Sequence, residues 1–139
     1  MPKNIIQKVV FKNTTPKILY NLYMNAKKHS AAIGAKVEIT DKIGTDFTAH
    51  DGYITGRNIH LEKDFLILQT WRGTDWSAKD KDSMLLISFG KQGKDTLVIL
   101  IHQGVPDKHH KDIDKGWHDY YWKPWRAYFA GKKVVKKEM

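Results

Sequence analysis

Residues 112–131, DIDKGWHDYYWKPWRAYFAG, constrain the fold more than any other stretch of the chain. Ile113, Trp117, Tyr120, Pro124 and Tyr128 recur every three or four residues, and Tyr121, Trp125 and Phe129 widen the same stripe. That spacing predicts an amphipathic helix of about four turns. Each buried ring is worth roughly 1.5–3 kcal/mol relative to exposure, so the aromatic face needs a broad apolar partner, and a sheet is the natural one. Pro124 lacks an amide donor and crowds the carbonyl of Tyr120, which predicts a bend at that point.

The chain before the helix supplies such a sheet. Ile5, Gln7, Val9 and Phe11 alternate with their neighbours as a first strand. Thr15 followed by Pro16 is a helix start, with Ile18, Leu19, Leu22 and Tyr23 as its apolar stripe. Asn25 restarts a second short helix that Gly34 ends. From Lys36 the period changes to that of strands. Val37 and Ile39 mark one strand, residues 47–50 another, and Asp51-Gly52 turns the chain into a third over 53–61. Further strands are predicted over 65–71, 84–89 and 97–102, with a polar loop over 73–82 anchored by Trp76. These connections are too short for crossover helices, so neighbouring strands pair antiparallel.

The expected fold is therefore α+β: a curved six- to seven-stranded antiparallel sheet around a long C-terminal helix, with two short helices after the first strand. Its 139 residues suit one domain over residues 1–131 and a basic tail over 132–139. One helix about 10 Å wide need not fill the concavity of such a sheet, so the interior holds either a cavity or packed side chains. Cavity candidates are Phe47, Trp71, Trp117, Tyr121 and Tyr128, with Gln69, Arg72 and His102 supplying polarity where their strands face inward.

The order and spacing of several short motifs resemble the Hsp90 ATPase activator homologue (AHSA1-like) family of the START/Bet v 1-like (SRPBCC) superfamily. They are Thr15-Pro16 with Tyr20, Gly44 with Phe47, Asp51-Gly52-Tyr53-Ile54-Thr55-Gly56, and Gln69-Thr70-Trp71-Arg72 with Trp76. They continue in Thr96-Leu97, His102-Gln103-Gly104-Val105-Pro106, Gly116-Trp117 and Tyr121-Trp122-Lys123-Pro124, so the resemblance covers about residues 5–130. It implies a helix-grip fold with a cavity that relatives use for lipids, small hydrophobic molecules or occasional catalysis.

Composition limits the chemistry. With no cysteine, disulfides and thiolate chemistry are excluded. The charge of +9, from 24 Lys and Arg against 15 Asp and Glu, favours anionic partners, but the lysines are dispersed and the aromatics have a better use beneath the helix. Specific nucleic-acid binding is not expected. No apolar run approaches the roughly 20 residues that span a bilayer, and residues 1–11 read as a strand and not as a secretory leader, so neither membrane insertion nor secretion is expected and the expected location is cytoplasmic.

Asp107, His109, His110, Asp112, Asp114 and His118 have metal-ligand chemistry, but a site needs three or four of them to converge, and a solvated helix-entry loop is the expectation. His29, His50, His60 and His102 come with no nucleophile motif, and phosphate-loop, dinucleotide and HExxH signatures are absent from the sequence. Neither a metal nor a cofactor is expected. The preferred expectation is noncatalytic binding of a small hydrophobic or amphipathic ligand. The alternative is a stress-related module that contacts a chaperone or other protein through surface residues including Lys123 and Arg126; a cavity-based enzyme comes third.

Overall fold

A computed structural model describes residues 2–131 of the chain. Strand β1 (Lys3–Phe11) buries Ile5, Gln7, Val9 and Phe11, the period-two face expected of a half-covered strand. Helices α1 (Pro16–Met24) and α2 (Ala26–Ile33) follow. The Thr15 side chain accepts from the amide of Ile18, that of Asn25 accepts from Lys28, and Gly34 closes α2 with φ of 70°. Ile18, assigned to the apolar stripe from sequence, is instead exposed, and Tyr20 and Met24 are buried in α1.

Five strands then form a meander: β2 (Asp46–Ala49), β3 (Ile54–Glu62), β4 (Leu66–Gly73), β5 (Ser83–Gln92) and β6 (Asp95–Val105). The sheet order is β1-β6-β5-β4-β3-β2 and every pair is antiparallel, so β1 returns to the far edge beside β6, with Ile5 opposite His102 and Val9 opposite Val98. Six strands form the curved sheet, the lower of the two expected counts.

The strand expected at Val37 and Ile39 is reduced to a bridge between Glu38 and Thr48. Both apolar side chains are buried, but the next carbonyls, of Thr40 and Lys42, accept from the Asn58 amide side chain instead of continuing a ladder.

The terminal helix runs as α3 (Asp107–Trp117), a wide π turn (His118–Trp122) and α4 (Lys123–Phe129). It starts earlier than its aromatic stripe, with Asp107 in the first turn holding Lys3 at 3.0 Å. The irregularity lies just upstream of Pro124: the amide of Lys123 reaches back to the carbonyl of His118, five residues away, where an α-helix would use Asp119. This shift changes which residues face the sheet. Trp117 and Trp122, five apart, stack at 5.7 Å, and Trp117, Tyr121, Trp122 and Trp125 are all buried, while Tyr128 is only half-buried. Phe11 completes the cluster against Trp122 and Trp125. The basic tail over 132–139 lies outside the described residues.

Candidate functional site

A cleft of about 600 Å3 opens where α3 and the π turn lean away from the far half of the sheet. Ile54 of β3 and Trp71 of β4 form its floor, and Ile113, Gly116, Trp117, Tyr120 and Tyr121 form the helical wall. His50, Tyr53 and Asp75 contribute from loops; Asp112, Lys115 and Asp119 complete the rim. A tight turn sets His50 and Tyr53 there: His50, Asp51 and Gly52 have φ of 51°, 58° and 90°. Gly52 takes that conformation at little cost; Asp51 is held in it as its carboxylate accepts from the amide of Lys36 at 2.9 Å.

The loop after β4 is fixed from the outer face of the sheet. Arg72 donates to the carbonyls of Asp80 and Ser77, both at 2.7 Å, and lies 5.8 Å from the ring of Trp76. Trp76 stacks on His109 of α3, which brings the preceding Asp75 to the rim, where its carboxylate accepts from the hydroxyl of Tyr53 at 2.6 Å. Burial, first, and then the Asp75 hydrogen bond and the charges of Asp75 and Asp112 push the Tyr53 phenol above its usual range.

Behind the cleft the polar groups form closed chains. The indole N–H of Trp117 donates to Nδ1 of His102 at 3.2 Å, so Nε2 carries the imidazole proton and donates to Oγ of Ser83 at 2.7 Å. Ser83 in turn donates to the carbonyl of Trp71 at 2.6 Å. This direction matters chemically. A Ser–His pair at such a distance resembles a nucleophile and its base, yet here the proton points from imidazole to hydroxyl and both side chains are buried, so His102 cannot take a proton from Ser83. Burial pushes the His102 imidazole down to about 3, which keeps it neutral.

A second histidine behaves alike. His29 donates from Nδ1 to the carbonyl of Tyr23 at 2.8 Å and accepts at Nε2 from the hydroxyl of Tyr121 at 3.0 Å. Burial pushes it down to about 3, outweighing the opposing Tyr23 hydrogen bond. Tyr121 thus lines the cleft while its hydroxyl is tied to His29, and burial raises that phenol far above its usual range.

Of the eight cavity candidates, Trp71, Trp117 and Tyr121 come together in the cleft lining. The other five sit elsewhere. Phe47 is buried against Gly56 of the neighbouring strand. Gln69 accepts from the hydroxyl of Tyr23 at 2.9 Å and donates to Asn58 at 2.8 Å, a structural bridge among buried groups. Arg72 points outward, His102 is enclosed between Ser83 and Trp117, and Tyr128 packs on Phe129 beyond the cleft.

The two surface candidates lie on the outer side of α4, where Lys123 pairs with Asp119 at 3.2 Å and Arg126 sits 5.0 Å from the ring of Phe11. Among the described residues no three His, Asp or Glu side chains gather as a metal site. Asp107 holds Lys3, His110 bonds the carbonyl of Asn4, and Asp114 accepts from Gln7.

Tyr53, Asp75, Lys115, Gly116 and Asp119 of the cleft carried no sequence signal as site residues, since three separate segments bring them together. The nearest hint was Trp76, whose anchoring ring implies that its neighbour Asp75 is held in place.

Comparisons with known proteins agree with this architecture. The family model described as Activator of Hsp90 ATPase homolog 1-like protein matches residues 13–130. A curated Dictyostelium discoideum protein, Activator of 90 kDa heat shock protein ATPase homolog, is 30% identical over 104 residues, which are 74% of this chain and 27% of that protein. The chain therefore spans little more than a quarter of that relative. An HSP90 activator from Plasmodium falciparum superposes with a TM-score of 0.79 at 20% identity, covering 91% of this chain and 96% of that one. The Aha1 dimer from Colwellia psychrerythraea gives 0.76 at 10% identity, covering 90% and 95%. At these identities the two structures speak for the fold alone. Through the match that runs over most of its length, the chain belongs to the Activator of Hsp90 ATPase homolog 1-like family.

Proposed function

We propose that this chain is a noncatalytic, cytoplasmic binding module whose cleft takes a small hydrophobic or amphipathic molecule. The observation that carries the reading is the cleft of about 600 Å3, walled by Trp117 and Tyr121 and floored by Ile54 and Trp71, large enough for a small ligand. An apolar body would lie on this floor while a polar end stays at the mouth, beside Asp75 and Asp112. The closed hydrogen-bond chains of His29 and His102 favour binding over proton transfer, because each imidazole is neutral and already committed at both nitrogens.

The test uses 4-phenylbutanol and the fluorescence of the cleft tryptophans. About eleven heavy atoms at roughly 0.3 kcal/mol each give about 3.3 kcal/mol and predict a Kd of about 4 mM. Gly116 lies in the wall, where an added Cβ would meet only the ring of Tyr120, at 3.5 Å, so Gly116→Phe fills the cleft without a backbone clash. Saturable one-to-one binding that Gly116→Phe abolishes supports the site. Absence of saturation, or equal binding by a folded Gly116→Phe protein, refutes it.

A second reading rests on the curated relative, whose name describes an activator of a 90 kDa heat shock protein ATPase. In that reading the chain contacts an Hsp90-type chaperone through exposed residues including Lys123 and Arg126. Stimulation of a purified Hsp90 ATPase by this chain, lost in Lys123→Glu/Arg126→Glu, would favour it over the cleft.

A further inference from the structure

The rim of the cleft has the opposite charge balance from the rest of the chain. Overall, basic residues exceed acidic ones by nine, yet the lining carries three carboxylates, Asp75, Asp112 and Asp119, against the single ammonium of Lys115. Lys115 is committed: its Nζ lies 3.4 Å from Asp119, whose other oxygen receives Lys123 at 3.2 Å. Asp119 is therefore neutralised from both sides. Asp75 is hydrogen-bonded by the neutral hydroxyl of Tyr53, which orients the carboxylate and leaves its charge intact. Asp112 stands near enough for its charge to act on the same hydroxyl. Two carboxylates thus face one aromatic-walled opening, beside the half-buried rings of Tyr53 and Tyr120.

We propose that this cleft, if it is the ligand site argued above, selects a cationic amphiphile, an ammonium group carried on an aryl or alkyl body. The apolar body fits the floor of Ile54 and Trp71. The ammonium lies at the mouth between Asp75 and Asp112, where electron-rich ring faces add to the attraction. An anionic head group of the same size meets two like charges there, and a neutral one supplies neither carboxylate with a counter-charge.

Three probes with one body and different heads separate this inference from the reading it rests on: 4-phenylbutylamine, 4-phenylbutanol and 4-phenylbutyrate, at neutral pH. The amine is expected to bind about five- to tenfold more tightly than the alcohol, and the carboxylate more weakly than either. The amine's advantage should shrink as salt is raised to about 0.3 M. In Asp75→Asn/Asp112→Asn, whose side chains are both exposed, the ratio of amine to alcohol affinity should fall to about one, with the thermal midpoint checked for intact folding. Equal binding of amine and alcohol by the parent chain, a preference that survives the double substitution, or tightest binding of the carboxylate each overturns cation selection and leaves the cleft standing. Failure of all three probes overturns both.

Discussion

Acidification from pH 7 to pH 5 should weaken the fold through two buried histidines. His29 and His102 are pushed from an ordinary value of 6.5 to about 3 by burial, and each already spends both ring nitrogens on hydrogen bonds. The folded state resists the proton that the unfolded chain accepts, so stability is full above about 6.5 and falls as pH drops below it. At pH 5 the unfolded imidazole is favoured by about 1.5 pH units, or about 2 kcal/mol per histidine, giving a combined loss of about 4 kcal/mol. Carboxylates with lowered folded values do not contribute in this window. Asp107, held by Lys3, and Asp119, held by Lys123, lose their stabilising effect only as pH falls through values below 3.8. Urea unfolding followed by tryptophan fluorescence at pH 7, 6 and 5 reads the slope directly, about 2.7 kcal/mol per pH unit below 6. His102→Gln or His29→Gln should each halve it, whatever the substitution costs at pH 7. A flat profile between pH 7 and pH 5, or an unchanged slope in both variants, would refute the argument that these imidazoles stay neutral in the fold.

Two glycines give predictions of opposite sign. Gly56→Ala places a Cβ against the Thr70 carbonyl, within the sheet, and 2.5 Å from the ring of Phe47; chemical denaturation should show a loss of about 3 kcal/mol or more. Gly116→Ala puts its Cβ in ordinary contact with Tyr120, at 3.5 Å, in a regular helix; calorimetry should show a gain of about 0.5–1 kcal/mol, a rise of roughly 2–5 °C in Tm.

Local chemistry made the two short helices legible in the sequence, since Thr15, Asn25 and Gly34 act within one turn of themselves. The strand meander was legible for a similar reason, because period-two burial and turn residues mark each hairpin. The π turn was not, although Pro124 pointed to trouble nearby. Where the helix yields depends on burying Trp122, and that burial is decided by Phe11 and by Gln7, whose side-chain carbonyl accepts from the indole of Trp122 at 2.7 Å. The partners of polar residues inside the sheet are not legible from sequence for the same cause. Gln69 bonds Tyr23 of an early helix and Asn58 of a neighbouring strand, partners that its own segment does not announce. The cleft was half legible: its aromatic wall followed from the helical stripe, whereas the place of Asp75 on its rim depends on how Arg72 and Trp76 tether a loop.

The return of β1 to the edge beside β6 has a consequence for synthesis. Strands β2 to β5 can zip up hairpin by hairpin as they leave the ribosome, but β1 finds its partner only after β6 has emerged. Gln7 then waits longer still, for Asp114 and Trp122 on the last helix. A nascent chain therefore carries β1 unpaired until β6 has emerged, and this interval is when it is most exposed to aggregation.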